Sequence, residues 1–144
     1  NEMTNGKGQV AIISGQIANP GLISRQKGFT TEIKESFPEL EVVDIRYSYD
    51  DEWVASKIVE ELLELYPELT GIYITGHGVK GVCQTLKKLG KDRSIHVIAN
   101  DFLEENKKWL QDGTINFLIG QDAAVQGHSP VTILFQLLFV IPVV

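Results

Sequence analysis

Polar side chains gather at the ends of apolar runs in this chain. Gln16 and Asn19 follow the first run, Thr75 to His77 the third, Asn100 and Asp101 the fourth, and Gln121 and Asp122 the fifth. In open parallel sheets the ligand crevice lies outside the carboxyl ends of the strands, so these residues share one rim if the runs are strands of one sheet. Arg25 stands one turn into the helix expected after the first run, where the helix dipole disfavours a cation, and local conflicts of that kind mark functional positions. Amides, one arginine and one or two carboxylates pair well with vicinal hydroxyls, because planar groups bind them bidentately. The set suits a neutral, polyhydroxylated small molecule.

Each of these residues also has a plainer reading. Asp101 fits equally well as the N-cap of a helix starting at Phe102, and Asp50 and Asp51 read as caps of the helix that follows them. Arg25 fits as a solvated surface arginine. His77 lies between Gly76 and Gly78 with no second His, Cys or carboxylate at metal-ligand spacing, so a rim contact or a loop residue fits it better than a metal ligand. His96 and His128 have less support still. No Gly-x-Ser-x-Gly elbow, Gly-x-x-x-x-Gly-Lys loop or Gly-x-Gly-x-x-Gly turn follows any run, so neither enzymatic activity nor a cofactor is expected. A phosphoacceptor domain of similar alternation would need an aspartate at the end of the third run, and Thr75-Gly76 stands there.

The elements that position these residues alternate regularly. Val10-Ala-Ile-Ile-Ser14 reads as a strand that breaks at Gly15, and the helix after it ends at Phe37-Pro38, because a residue before proline is pushed out of the helical region. Leu40–Tyr47 is the second strand, followed by a helix with Trp53, Val54, Ile58, Leu62 and Leu65 at helical spacing, stopped by Pro67. Gly71–Thr75 is the third, with a helix from Val79 that stops at Gly90. Ile95–Ala99 is the fourth, with a helix from Phe102 to Gln111, and Ile115–Ile119 is the fifth. A last helix, about Ala124 to Leu138 with Pro130 inside it, leads to a short strand from Val140 to Val144. The fold expected is α/β, a doubly wound and mostly parallel sheet flanked by helices in three layers, of the Rossmann or flavodoxin type.

With 144 residues, 43 % of them apolar, the chain suits one domain with a packed core. Its net charge of −6 makes it a poor binder of polyanions. The single cysteine, Cys83, cannot form an internal disulfide, which fits a reducing compartment, and it reads as a buried apolar filler. Val131 to Val144, interrupted by Gln136 and Pro142, falls short of a membrane span.

The run Val10-Ala-Ile-Ile-Ser-Gly15, the helix motif Ser24-Arg25-Gln-Lys-Gly28-Phe29, the strand end Val97-Ile-Ala-Asn-Asp101, and Asp112-Gly-Thr-Ile-Asn-Phe-Leu-Ile-Gly-Gln121 with Gln126-Gly127 resemble the sensor domain of lactose-repressor-type transcription regulators. The same fold serves periplasmic sugar-binding proteins. The resemblance runs from Gly8 to about Leu138. It implies a cytoplasmic sensor of a sugar or related polyol, whose binding shifts the affinity of a helix-turn-helix region for operator DNA. It also implies that Arg25 and Asp101 hydrogen-bond sugar hydroxyls, that Gln121 stands where the chain leaves the lobe, and that Tyr49 presents its ring to the ligand. Thr75, His77, Asn100 and Gln16 complete the candidate contacts. Where the family's third strand ends in Asn-Asp, this chain has Thr75-Gly76-His77.

By the same resemblance the chain supplies part of a sensor. Residues 1–8 are expected to form a hinge-side leader, 9–121 the carboxyl-side lobe, and 122–144 the crossover helix and return strand of an incomplete second lobe, with no helix-turn-helix present. A periplasmic sugar receptor of a transporter is the nearest alternative, and a flavodoxin-like or receiver-like enzyme or phosphotransfer domain the alternative of another class. A homodimer is expected through Trp109 and the Val79 to Leu86 helix. The helix from Val131 to Leu138, apolar nearly all round, suits burial between partners, and without its own second lobe it is expected to pack against a neighbouring chain or to be poorly ordered.

Overall fold

A computed structural model describes residues 7–140. The strands are β1 (Lys7–Ser14), β2 (Glu39–Tyr47), β3 (Leu69–Ile74), β4 (His96–Asn100) and β5 (Phe117–Ile119), and the helices that follow them in turn are α1 (Pro20–Ser36), α2 (Glu52–Leu65), α3 (Val79–Lys88), α4 (Glu104–Gln111) and α5 (Ala123–Phe135). A π-helical turn, Gln136–Val140, continues α5. The sheet is parallel throughout with order β2-β1-β3-β4-β5, so the doubly wound α/β fold read from the alternation is the fold observed.

That order reverses direction once. From β1 the chain runs out to β2 at one edge, then returns past β1 to β3 and continues to β5. Right-handed crossovers put α1 on one face and α2, α3 and α4 on the other. Alternate strand residues divide accordingly. Ala11, Ile13, Ile72, Ile74, Val97 and Ala99 pack against Ala55, Val59 and Leu62 of α2 and Val82, Cys83 and Leu86 of α3. On the other face α1 covers Val10 and Tyr73, with Phe29 stacked on Tyr73 at 4.5 Å between ring centres. A cavity of about 250 Å³ remains beneath α1, lined by Phe29, Phe37, Tyr73, His96 and Ile98. Past it, no described residue covers Phe117 and Ile119, which are 56 % and 48 % exposed.

Local chemistry sets the ends. Asn19 caps α1 by accepting from the N–H groups of Gly21 and Leu22, and Pro20 fills the first position, where a missing N–H costs nothing. Asp51 caps α2 in the same way. α3 starts at Gly78 without a cap of its own, and Glu52 of α2 supplies one across the interface, its carboxylate 2.5 Å from the Gly81 N–H. Gly81 is needed there, since a Cβ would collide with the Glu52 backbone oxygen.

Several expectations need correction. α4 begins at Glu104, not Phe102: Asp101 adopts a left-handed conformation, φ 69°, and Leu103 takes the cap position. Asp101 therefore does not cap α4. β5 starts at Phe117, two residues later than expected. Val140 lies in the π-helical turn and not in a strand, and residues 141–144 of the expected return strand lie outside the described residues. Val79, Val82, Cys83 and Leu86 all face the lobe's own core, so α3 has no spare apolar stripe for a partner. Trp109 is half-buried against that core under the Lys87 ammonium, 5.3 Å from its ring, and its indole N–H finds no acceptor among the described residues. Burial pushes the Cys83 thiol up to about 12, as befits an inert apolar filler. No described helix is long and apolar enough to cross a membrane. α5 keeps its helical form through Pro130, and no described residue covers it.

Candidate functional site

The reversal of strand order places β1 and β3 side by side with their following loops diverging, which opens a crevice at their carboxyl ends. α1 runs along one bank. Its Arg25 reaches across, donating from Nη1 to the Thr75 backbone oxygen at 2.6 Å, with Nη2 3.6 Å from Asp101 Oδ1. The conflict with the dipole of α1 is thus answered by a carbonyl and a carboxylate from two other elements. A quarter of the Arg25 side chain and a third of that of Asp101 remain exposed, so both keep hydrogen-bonding capacity toward the crevice.

Asp101 is held from several sides. Its N–H donates to the Ile119 oxygen at 2.9 Å, its own oxygen accepts from Asn106 Nδ2 at 2.9 Å, and Gln121 Nε2 donates to its carboxylate at 3.2 Å. Gln121 is steadied in turn by Gln126, whose Nε2 lies 3.2 Å from its Oε1. A left-handed aspartate costs backbone energy, and such outliers persist where surrounding contacts over-determine them. Arg25, Asp101 and Gln121, expected together at the rim, form one connected group.

A second group faces it from the β1 and β2 ends. Gln16 Nε2 donates to Asp50 Oδ2 at 2.9 Å, and His77 Nδ1 lies 3.5 Å from Asp50 Oδ1. Tyr49 and Asp50 are both left-handed, with φ of 54° and 62°, and Tyr49 projects its ring into solvent. Gly15 permits this arrangement, because a Cβ there would collide with the Asp50 carboxylate. Asp50 does not act as the helix cap that its position suggests, since Asp51 alone caps α2. The signal was available: one N-cap uses one side chain, which leaves the other aspartate free.

Thr75 and Asn100 are placed differently. The Thr75 side chain is fully buried and donates to Ser14 Oγ at 2.9 Å, so only its backbone oxygen takes part in the rim. Asn100 donates to Tyr73 Oη at 2.9 Å and to the Ile74 oxygen at 3.1 Å, beneath the crevice floor. Both support the rim from below. Among the described residues no group of three His, Cys, Asp or Glu could hold a metal ion.

The rim thus offers two carboxylates, a guanidinium and two amides, with an aromatic ring beside them, above a rigid sheet. Residues 1–139 match the family model of the periplasmic binding protein domain. The chain belongs to this family. A periplasmic binding protein domain is a binding module, and its relatives are sugar-binding proteins, not enzymes. The D-allose-binding periplasmic protein of Escherichia coli K12 is 25 % identical over 123 residues, covering 85 % of this chain and 39 % of that protein. A sugar-binding protein of a sugar ABC transporter from Bacillus halodurans superposes with a TM-score of 0.87 at 27 % identity, over 94 % of this chain and 47 % of the other. An ABC transporter solute-binding protein from Burkholderia graminis, solved with D-arabinose, superposes with a TM-score of 0.73 at 30 % identity, over 79 % of this chain and 40 % of the other. The chain spans less than half the length of each of these relatives.

Proposed function

We propose that this chain is the carboxyl-side lobe, residues 9–121, of a two-lobed receptor for a monosaccharide or related polyol that delivers its ligand to a membrane transporter. Residues 122–144 lead toward the second lobe. The observation that carries the reading is the connected group of Arg25, Asp101 and Gln121 at the carboxyl ends of the strands, which sets a cation, a carboxylate and an amide side by side on one rim. Arg25 and Asp101 hold adjacent sugar hydroxyls, with Gln121 between the lobe and its exit. Gln16, Asp50 and His77 take hydroxyls on the far side, and Tyr49 offers a ring face. The relatives named above support a receptor ahead of a lactose-repressor-type regulator, which the motifs alone placed first. The receptor acts outside the cytoplasmic membrane and the regulator in the cytoplasm. A signal peptide encoded upstream selects the first, and a helix-turn-helix the second.

The test is a sugar titration. A ligand of this fold is enclosed by two walls, and one wall supplies about half of the polar contacts, each worth about 1.5–3 kcal/mol where a charged group takes part. The isolated chain is therefore expected to bind aldoses no more tightly than about millimolar. Amide and guanidinium resonances of Arg25, Asp101 and Gln121 should shift with added sugar, and Arg25→Ala should abolish the shifts. Micromolar affinity of the lone chain, or shifts that survive Arg25→Ala, place the ligand elsewhere.

A further inference from the structure

α4 buries one side chain fully, and it is an amide. Trp109 and Leu110 lie half-buried against the core, while Asn106 is 5 % exposed. Asparagine is unfavourable there on two counts: it is a weaker helix former than leucine, and a buried amide costs free energy unless its donors are satisfied. What satisfies this one lies outside the helix. Asn106 Nδ2 donates to the Asp101 backbone oxygen at 2.9 Å and lies 3.5 Å from the Asn100 oxygen, so the amide reaches back over the turn that joins β4 to α4.

That turn needs holding. Asp101 stands at φ 69°, where Cβ crowds the following carbonyl oxygen, and such a conformation persists where surrounding contacts fix it. The main chain supplies two bonds, from the Asp101 N–H to the Ile119 oxygen and from the Leu103 N–H to the Asp101 oxygen, both at 2.9 Å. Among the described residues Asn106 is the one side chain that bonds the backbone of the turn. The handedness decides where the carboxylate points. Arg25 and Gln121 both approach its Oδ1, at 3.6 and 3.2 Å, and no hydrogen bond reaches Oδ2 among the described residues. One oxygen is anchored and the other is left for a ligand hydroxyl. A turn relaxed to negative φ would swing Cβ off this line and part the carboxylate from Arg25 and Gln121.

We propose that Asn106 is a positioning residue of the rim: its amide fixes the left-handed turn at Asp101 and so directs the Asp101 carboxylate, Oδ2 foremost, at the ligand. The proposal rests on the reading of Asp101 as a ligand contact, but the hold on the turn involves no ligand and is measured without one.

A residue at positive φ brings its own amide and α protons close together, which gives a strong intraresidue cross-peak in nuclear Overhauser spectra. The 144-residue chain should show that cross-peak for Asp101. Asn106→Leu keeps the bulk of the side chain and the helix but removes the donors, and Asn106→Ala removes them without risk of a clash. In both variants the Asp101 cross-peak should weaken several-fold while circular dichroism stays unchanged. With D-glucose, D-galactose and D-ribose as probes, the dissociation constant of whichever sugar the parent chain binds should rise about 10-fold in both variants, the worth of one net hydrogen bond. A parent chain that binds none of the three, with the cross-peak lost in the variants, supports the hold on Asp101 and counts against the sugar reading. An amide with a merely structural role would lower the urea midpoint in both variants and leave the cross-peak in place. That result, or a sugar affinity that neither substitution changes, overturns the proposal.

Discussion

The two faces of the sheet are finished to different degrees. Under α2, α3 and α4 the strand residues Ile72, Ile74 and Val97 are sealed against Val59, Leu62, Val82 and Leu86, all at most 1 % exposed. Under α1 the cover ends near Tyr73, and Phe117 and Ile119 stand open. The strands are the same, and successive residues differ only in the face they point to. The difference comes from topology: three crossovers run toward β5 on one side, and one runs toward β2 on the other. An apolar residue in a strand is therefore no guide to whether it is buried in its own lobe.

Urea unfolding in dilute solution measures the contrast. Leu62→Ala, which opens a cavity in the sealed face, should cost about 2–5 kcal/mol, whereas Phe117→Ser on the open face should cost less than about 0.5 kcal/mol. A comparable cost for both would mean that the open face is closed in the monomer. Gly81→Ala tests the tightest contact of the sealed side, where a methyl meets the Glu52 backbone, and about 1–3 kcal/mol is expected. At the rim, Thr75→Val removes the buried hydrogen bond to Ser14 but leaves the backbone oxygen that Arg25 uses. It should lower stability by about 1 kcal/mol with sugar-induced shifts retained, and loss of those shifts would give the hydroxyl a direct part in binding.

The smallest effect concerns pH. Burial pushes the Asp112 carboxyl up, but hydrogen bonds from Lys87 and Thr114 outweigh it and hold the group below its usual value. A carboxyl depressed in the folded state adds stability that is present above the unfolded value, about 3.9, and is lost as pH falls through the folded one. With more than a third of the side chain exposed, the contribution is under about 1 kcal/mol. Comparing urea midpoints at neutral pH and near pH 3 should show a smaller acid loss in Asp112→Asn than in the parent chain.

Much of the fold was legible because the apolar runs are short, β-branched and separated by capped helices. Pro38 and Pro67 mark ends that the backbone obeys whatever the surroundings. The first group of the site was legible in part, since strand ends in such a sheet share a rim, and Arg25 carried a charge its helix position disfavoured. Asp50 was missed because a capping aspartate and a rim aspartate are chemically alike until the backbone turns left-handed. Thr75 and Asn100 were expected at the ligand because a polar residue at a strand end faces either the crevice or its floor, and the alternation of one strand cannot tell which.

From the sequence alone came the element order, the caps, the uncharged character of α5 and the candidate residues Arg25, Asp101 and Gln121. Those properties follow from interactions within a few residues or from the sheet rule that joins strand ends. Only the tertiary structure decided that Asp101 is left-handed and leaves α4 uncapped, that Asp50 faces Gln16 and His77, and that Phe117 and Ile119 of β5 stay exposed among the described residues. Each of those involves groups from different elements of the chain, or the count of helices per face, and local sequence has no physical means of specifying either.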